Sequence, residues 1–278
     1  MIQKSYDDTP SLYLIPTPIG NLDDITVRSL NILKSVDEIL CEDTRDSGLL
    51  LSHYGIKKKL VSCHEFNEDK MIDYVVSKLK EGYNLGLITD QGTPIISDPG
   101  YIVSRGVIDA GYNVVSLPGA TAFVPALTSS GIEPSPFLFY GFLNAKNSKQ
   151  IQELNSLKDY PFTIIFYEAV HRIKNTLENM LKVFGDRRIS IGRELSKIHE
   201  EFTRGTITEI LPLVDDMKGE FVIVVEGNHN TTDYSNLDIF EHVKMYLDDM
   251  SEMDAIKKVA KERGVAKSVI YQEYHNRK

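Results

Sequence analysis

The sequence predicts two α/β domains with mainly parallel sheets, followed by a small helical domain. Three observations carry that expectation. Short β-rich apolar runs alternate with helical patterns over most of the 278 residues. A stretch rich in Pro, Gly and Ser, Leu117 to Pro136, interrupts the alternation near the middle. The composition then changes after Thr231, beyond which everything reads as helical. Alternating strands and helices joined by short connections imply parallel strands covered on both faces. The expected domains are residues 1–120, 121–230 and 231–278.

The first series has apolar runs at Leu12–Ile15, Glu38–Cys41, Leu60–Cys63, Leu85–Thr89 and Val114–Leu117. Between them, Val27–Ser35 and Met71–Lys80 place apolar residues three and four apart, the spacing of an amphipathic helix. The second series has runs at Phe137–Tyr140, Thr163–Tyr167, Ile189–Gly192 and Phe221–Glu226. Asn228 to Thr232 forms a polar linker. Beyond it, Asp254–Arg263 and Ala266–Tyr274 read as two helices around a turn at Gly264, a spacing that suits either a helix-turn-helix or a plain helical hairpin.

Composition narrows the function classes. With 42% hydrophobic and 26% charged residues the chain has apolar material for a real core. No apolar run approaches membrane-spanning length, and the opening MIQKSYDDTP lacks the apolar centre of a secretory signal, so a cytoplasmic setting is expected. Cys41 and Cys63 both fall in apolar runs, which favours buried free thiols. A net charge of −9 argues against an all-over basic surface that coats nucleic acid, but leaves room for a local basic groove. Ser251 to Lys278 carries seven Lys or Arg against four acids, a net +3. That asymmetry fits an acidic partner or a solvated helix face.

In open α/β sheets ligands bind beyond the carboxyl ends of the strands, so the residues following each strand are the candidates. After the first comes Pro16-Thr17-Pro18-Ile19-Gly20-Asn21-Leu22, a proline-stiffened loop. No GxGxxG occurs in the chain, which removes the main support for nicotinamide binding. After the second comes Glu42-Asp43-Thr44-Arg45-Asp46, where Glu42 or Asp43 could take a proton and Arg45 could grip a phosphate. The same acids would also suit the start of a helix at Ser47–Tyr54. After the third, His64-Glu65-Phe66-Asn67-Glu68 lacks the partner histidines of a metal site, so no metal is expected. After the fourth, Asp90-Gln91-Gly92-Thr93-Pro94 offers close backbone approach at Gly92 and an acceptor at Asp90, while Asp98-Pro99 reads as an N-cap and first residue of a helix ending near Gly111. Arg172 and Arg193 could bind phosphates or be held by Glu168 and Glu194.

Together these segments resemble the ribosomal RNA small subunit methyltransferase I family, a branch of the tetrapyrrole methylases. The matching stretches run in order from Thr17–Leu22 through Glu42–Arg45, His64-Glu65, Asp90–Pro94, Ser97–Gly100, Pro118–Ala120, Tyr167-Glu168 with His171-Arg172, and Arg193–Leu195. The resemblance implies that the two α/β domains form a cleft holding S-adenosylmethionine. It also implies transfer of the methyl group to a cytidine ribose 2′-oxygen in the decoding region of 16S rRNA, usually by a homodimer. The RNA is expected as part of the 30S subunit or free, and because transfer from a sulfonium is an in-line displacement in which positive charge disappears, no metal is expected. On that basis Pro16, Asp90, Gly92, Thr93, Pro94 and Ala122 are expected at the donor, and Glu42, Asp43 or His64 at the reacting hydroxyl. Asn21, Arg45, Arg172 and Arg193 are expected at the RNA. Three departures stand out: Gln91 replaces an alanine, Phe66 a second histidine, and Ala169-Val170 a Ser-Pro pair.

Overall fold

The computed structural model describes residues 2–5, 7–229 and 237–277, in two compact units, Met1–Gly227 and Asn228–Lys278. The larger unit contains two five-stranded sheets. The first is built from β1 (Ser11–Leu14), β2 (Glu38–Cys41), β3 (Lys59–Ser62), β4 (Leu85–Leu87) and β5 (Asn113–Ser116), all parallel, in the order β3-β2-β4-β1-β5. From β1 the chain leaves towards β2, and from the adjacent β4 it leaves the opposite way towards β5. Two neighbouring strands whose exits diverge open a crevice between their end loops, and here that crevice lies at β1/β4.

Apolar alternation along these strands feeds both faces. Leu12, Leu14, Leu40, Leu85 and Leu87 pack on one side with Val75, Leu79 and Val103, while Ile15, Ile39 and Val115 pack on the other with Leu33 and Val36. Cys63 joins the first cluster and Cys41 the second. The two thiols lie on opposite faces of the sheet, both free, and burial pushes the Cys63 thiol up to about 12. Neither forms a disulfide.

The second sheet comprises β6 (Phe137–Phe142), β7 (Thr163–Ala169), β8 (Arg188–Arg193), β9 (Glu201–Thr206) and β10 (Glu220–Val225), in the order β6-β7-β10-β8-β9. It is mixed, where strand–helix alternation suggested mainly parallel strands. Only β6 and β7 pair in parallel; β10 lies antiparallel between β7 and β8, and β9 is antiparallel to β8. The helix Ile173–Phe184 does carry the chain from β7 to a parallel β8, but leaves a slot that β10 fills. β9, with the sequence EFTRGT, has too few apolar residues to announce itself as a strand.

The segment before the helix Tyr101–Asp109 also departs from expectation. Asp98 is not its N-cap: Gly100, at φ +121°, holds that position, and Ile95 and Ser97 are left-handed at φ +77° and +64°. Pro99 therefore precedes the helix rather than opening it, and Asp98 is turned away from the helix axis into the larger unit's cavity. The smaller unit packs the helices Ile239–Lys244, Glu252–Glu262 and Lys267–His275 around Val243, Ile256, Val259 and Ile270, with Gly264 (φ +63°) making the turn. Of the polar linker, Asn230 to Thr232 lies outside the described residues.

Candidate active site

The loops that leave β1, β4 and β5 are tied to one another. Thr17 and Gly92 exchange backbone hydrogen bonds of 2.9 and 3.1 Å, the Thr17 hydroxyl donates to the Thr89 carbonyl at 3.1 Å, and the Thr93 hydroxyl donates to the Ala120 carbonyl at 2.9 Å. Gly92 adopts φ +83°, and a Cβ there would sit 3.4 Å from Ile19 Cγ2. Only glycine takes that backbone and spares that space without strain. The knot forms the floor of a cavity of about 420 Å³, whose opposite wall comes from the second sheet through Tyr167, Leu195, Glu220 and Val222. A joint apolar cluster containing Ile19, Ala126, Ile165 and Leu195 holds the two sheets around it.

The electrostatics of the lining are one-sided. Glu42, Asp90, Asp98, Glu168 and Glu220 line the cavity, and none of its described lining residues is Lys, Arg or His. Burial, reinforced by Glu42 and Asp90, pushes the Asp98 carboxyl up to about 7. Burial also raises Glu42, with Asp90 and Glu65 adding to it, and raises Asp90. Glu168, its side chain fully buried, accepts from the Ala169 amide at 2.9 Å and the Thr176 hydroxyl at 2.5 Å, and pairs with Arg172 Nε at 3.2 Å. Burial lifts the Tyr167 phenol to about 12, and its oxygen accepts from the Phe123 amide at 3.2 Å.

At the edge of the cavity, the β8–β9 connection reaches across to the β1 loop. Glu194 and Ser196 are left-handed there, at φ +51° and +68°. The Ser196 hydroxyl donates to Asp24, and Lys197 lies so close over Gly20 that a Cβ would meet its Cγ at 2.2 Å. Lys197 Nζ pairs with Glu194 at 3.0 Å and Glu220 at 2.9 Å.

The expected site residues distribute unevenly over this geometry. Glu42, Asp90, Gly92, Thr93 and Ala122 line the cavity. Pro16 and Pro94 are buried behind it; Pro16 backs Gly119, where a Cβ would meet its ring at 2.4 Å. Asp43 N-caps the helix Thr44–His53, its carboxylate accepting from the Arg45 amide at 2.8 Å and pairing with the Arg45 guanidinium at 2.9 Å. That partner holds Asp43 down to about 2. Arg45 itself is exposed, and Asn21 is spent locally, accepting from the Asp23 amide. His64 is half-buried behind Glu42, and among the described residues nothing bonds its buried Nδ1. Arg172 is fixed by Glu168 and by the Leu143 carbonyl at 2.6 Å, and Arg193 by Glu201 at 2.6 Å and the Lys218 carbonyl at 3.1 Å. Sequence reasoning did not single out Asp98, Leu195 or Glu220 as site residues. A signal for Asp98 was present, since Pro94 and Pro99 flank a segment too constrained for a regular helix start.

Two α/β sheets closing on a glycine-floored, carboxylate-lined cavity define a class of protein. The chain belongs to the Tetrapyrrole (Corrin/Porphyrin) Methylases, whose family model matches residues 11–211. It is 46% identical over 277 residues to ribosomal RNA small subunit methyltransferase I of Bacillus subtilis, covering 96% of this chain and 95% of that protein. It is 44% identical over 275 residues to the protein of the same name from Haemophilus influenzae, covering 96% of each. Among solved structures it is similar to uroporphyrin-III-C-methyltransferase from Thermus thermophilus, with a TM-score of 0.56 at 17% identity over 78% of this chain and 94% of that one. Cobalt precorrin-4 methyltransferase gives a TM-score of 0.57 at 16% identity over 81% and 98%. These structures share the fold; the full-length relatives bear out the resemblance read from the motifs.

Proposed function

We propose that this protein methylates ribosomal RNA of the small subunit, using S-adenosylmethionine as donor and the 2′-hydroxyl of a cytidine ribose in the decoding region of 16S rRNA as acceptor. The observation that carries the reading is the cavity: an uncharged, glycine-floored end beside a cluster of carboxyls, of which Glu168 is paired with Arg172 and Glu220 with Lys197 while Glu42, Asp90 and Asp98 meet no Lys or Arg in the described lining. A ligand suited to it has an apolar, hydrogen-bonding part and a positive charge, which describes an adenosyl sulfonium, and about 420 Å³ is within the range of small-molecule sites. When bound, the donor supplies an electrophilic methyl group.

The chain's own residues divide the remaining work. Gly92, Thr93 and Ala122 bring backbone to the ligand, with Leu195 and Val222 opposite, and Pro16 and Pro94 stiffen the loops from behind. Asp98 and Asp90 face the positive charge. Glu42 holds or accepts the proton of the attacking hydroxyl, a task that favours a carboxyl whose affinity for protons is already raised by burial. Asp43 and His64 act at one remove, Asp43 by capping the helix that carries Arg45 and His64 by backing Glu42. Arg45, exposed three residues after Glu42, meets the RNA backbone, Asn21 caps the turn that follows it, and Arg172 and Arg193 brace β7 and β8 through their ion pairs. Holding the reacting atoms in line contributes about 7–11 kcal/mol of barrier lowering in well-oriented reactions. In this reading the enzyme acts in the cytoplasm on 30S subunits as a homodimer.

The test is transfer of labelled methyl from S-adenosylmethionine to purified 30S subunits lacking the modification, with the product mapped. Label on a cytidine 2′-oxygen is the expected result. Donor binding without transfer to subunits or free 16S rRNA would replace this reading with methylation of a small molecule.

A further inference from the structure

We propose that Phe66 and Tyr101 form a stacking platform for unpaired RNA bases beside the nucleotide whose ribose enters the cavity, an inference that rests on the RNA reading above. Phe66 is 83% exposed and Tyr101 63% exposed, which leaves two aromatic faces open to a ligand. Neither ring is loose on its backbone. The turn carrying Phe66 is closed by the Asn67 side chain, which accepts from the His64 amide at 2.8 Å and donates to the Ser62 carbonyl at 3.1 Å. Tyr101 is the first residue of its helix, and the buried Glu68 accepts from the next two amides, Ile102 at 2.9 Å and Val103 at 3.4 Å. Glu68 thus joins the two ring-bearing segments.

Neither ring lines the cavity, but each segment lies near a residue that does. Tyr101 follows Asp98 by three residues, and His64, whose ring lies 6.1 Å from that of Phe66, backs Glu42. A strand whose sugar reaches Glu42 and Asp98 therefore passes the two rings with its neighbouring bases. Charge favours this contact over a phosphate-led grip. The chain carries −9 overall, and the cations near the cavity, Arg172, Lys197 and Arg45, are each held by a carboxylate of the chain, which leaves little free charge for RNA phosphates. Stacking on an aromatic face needs no charge and is the usual way proteins hold splayed single-stranded bases.

The chain has no tryptophan, so Phe66→Trp introduces a single tryptophan at the platform, which red-edge excitation reads apart from the 14 tyrosines. We expect its emission to be quenched by an RNA hairpin with an unpaired loop and not by a fully paired control. Phe66→Ala and Tyr101→Ala should each weaken loop binding, read by anisotropy of the labelled hairpin, by about 5- to 150-fold. Calorimetric affinity for S-adenosylmethionine should stay unchanged in both. The platform is overturned if the double alanine variant binds the hairpin like its parent, or if the Phe66→Trp emission stays constant while anisotropy reports bound RNA. It is also overturned by an emission shift that depends on protein concentration alone, which would assign the rings to a second copy of the chain. An unmodified chain that binds no RNA removes the RNA reading and the platform with it. Hairpin binding that ignores the two rings removes only the platform.

Discussion

Replacing Asp98 by asparagine should reverse part of the chain's pH dependence of stability. A carboxyl of this type ordinarily ionises near 3.8, and burial with Glu42 and Asp90 close by pushes Asp98 to about 7. Between those values the folded chain keeps a proton that the unfolded chain has released. Native protein therefore binds more protons, and stability falls as pH rises from about 4 to about 7, then levels off. Each pH unit inside that window costs about 1.4 kcal/mol for one fully linked group. Between pH 5 and pH 8 the loss attributable to Asp98 is thus about 3 kcal/mol at most, and water reaching the open cavity reduces it to about 2. Asparagine cannot ionise, so Asp98→Asn should gain about 2–3 kcal/mol on its parent in going from pH 5 to pH 8. Urea melts read by circular dichroism at the two pH values measure that difference, with any separate transition of the unit Asn228–Lys278 fitted apart. Equal pH slopes in parent and variant would refute the reasoning. The same variant should lose affinity for S-adenosylmethionine in calorimetry, because the proposed counter-charge is gone.

Three further outcomes follow from the geometry. Glu42→Ala should lower methyl transfer by about 10²–10⁴-fold, the usual contribution of a positioned base, whereas Asp43→Ala should keep most of it; equal losses in single-turnover assays would return the acid–base role to both. Gly92→Ala forces a side chain into φ +83° against Ile19, so it should cost about 1–2 kcal/mol of stability and weaken donor binding, measurable by thermal melts and calorimetry. Arg172→Ala strands the fully buried Glu168, and should destabilise the chain by about 3–5 kcal/mol while leaving hairpin RNA affinity intact; a selective loss of RNA binding would restore Arg172 as a phosphate contact.

Much of this architecture could be read from residue pattern because the first sheet obeys local rules. Its inner strands β2, β4 and β1 are buried on both faces and appear as apolar runs, the edge strands β3 and β5 are only partly buried but still carry apolar residues, and each strand end is marked by a polar or glycine-containing loop. The second sheet was harder because β9 is half-exposed, and because antiparallel insertion of β10 leaves no trace in spacing. At the site, Asp90, Gly92 and Thr93 were legible since a glycine after a buried strand has few other uses. Asp98 reads as a cap because Asp followed by Pro is a favoured helix start, and the left-handed turns at Ile95 and Ser97 redirect it. Glu220 and Leu195 reach the cavity from strands and turns distant in sequence, and no local pattern brings them together.

The unbalanced charge of the cavity also decides what it refuses. Cells hold far more adenosine triphosphate and related nucleotides than sulfonium compounds, and these share the adenosine that a glycine-floored loop would accept. Glu42, Asp90 and Asp98, with no Lys, Arg or His among the described lining residues, disfavour a polyphosphate tail, so a phosphate-bearing look-alike is turned away by its sign rather than its shape. An inhibitor built for this pocket would accordingly need a fixed positive charge, such as a protonated amine, and a phosphate-bearing nucleotide scaffold is the wrong place to start.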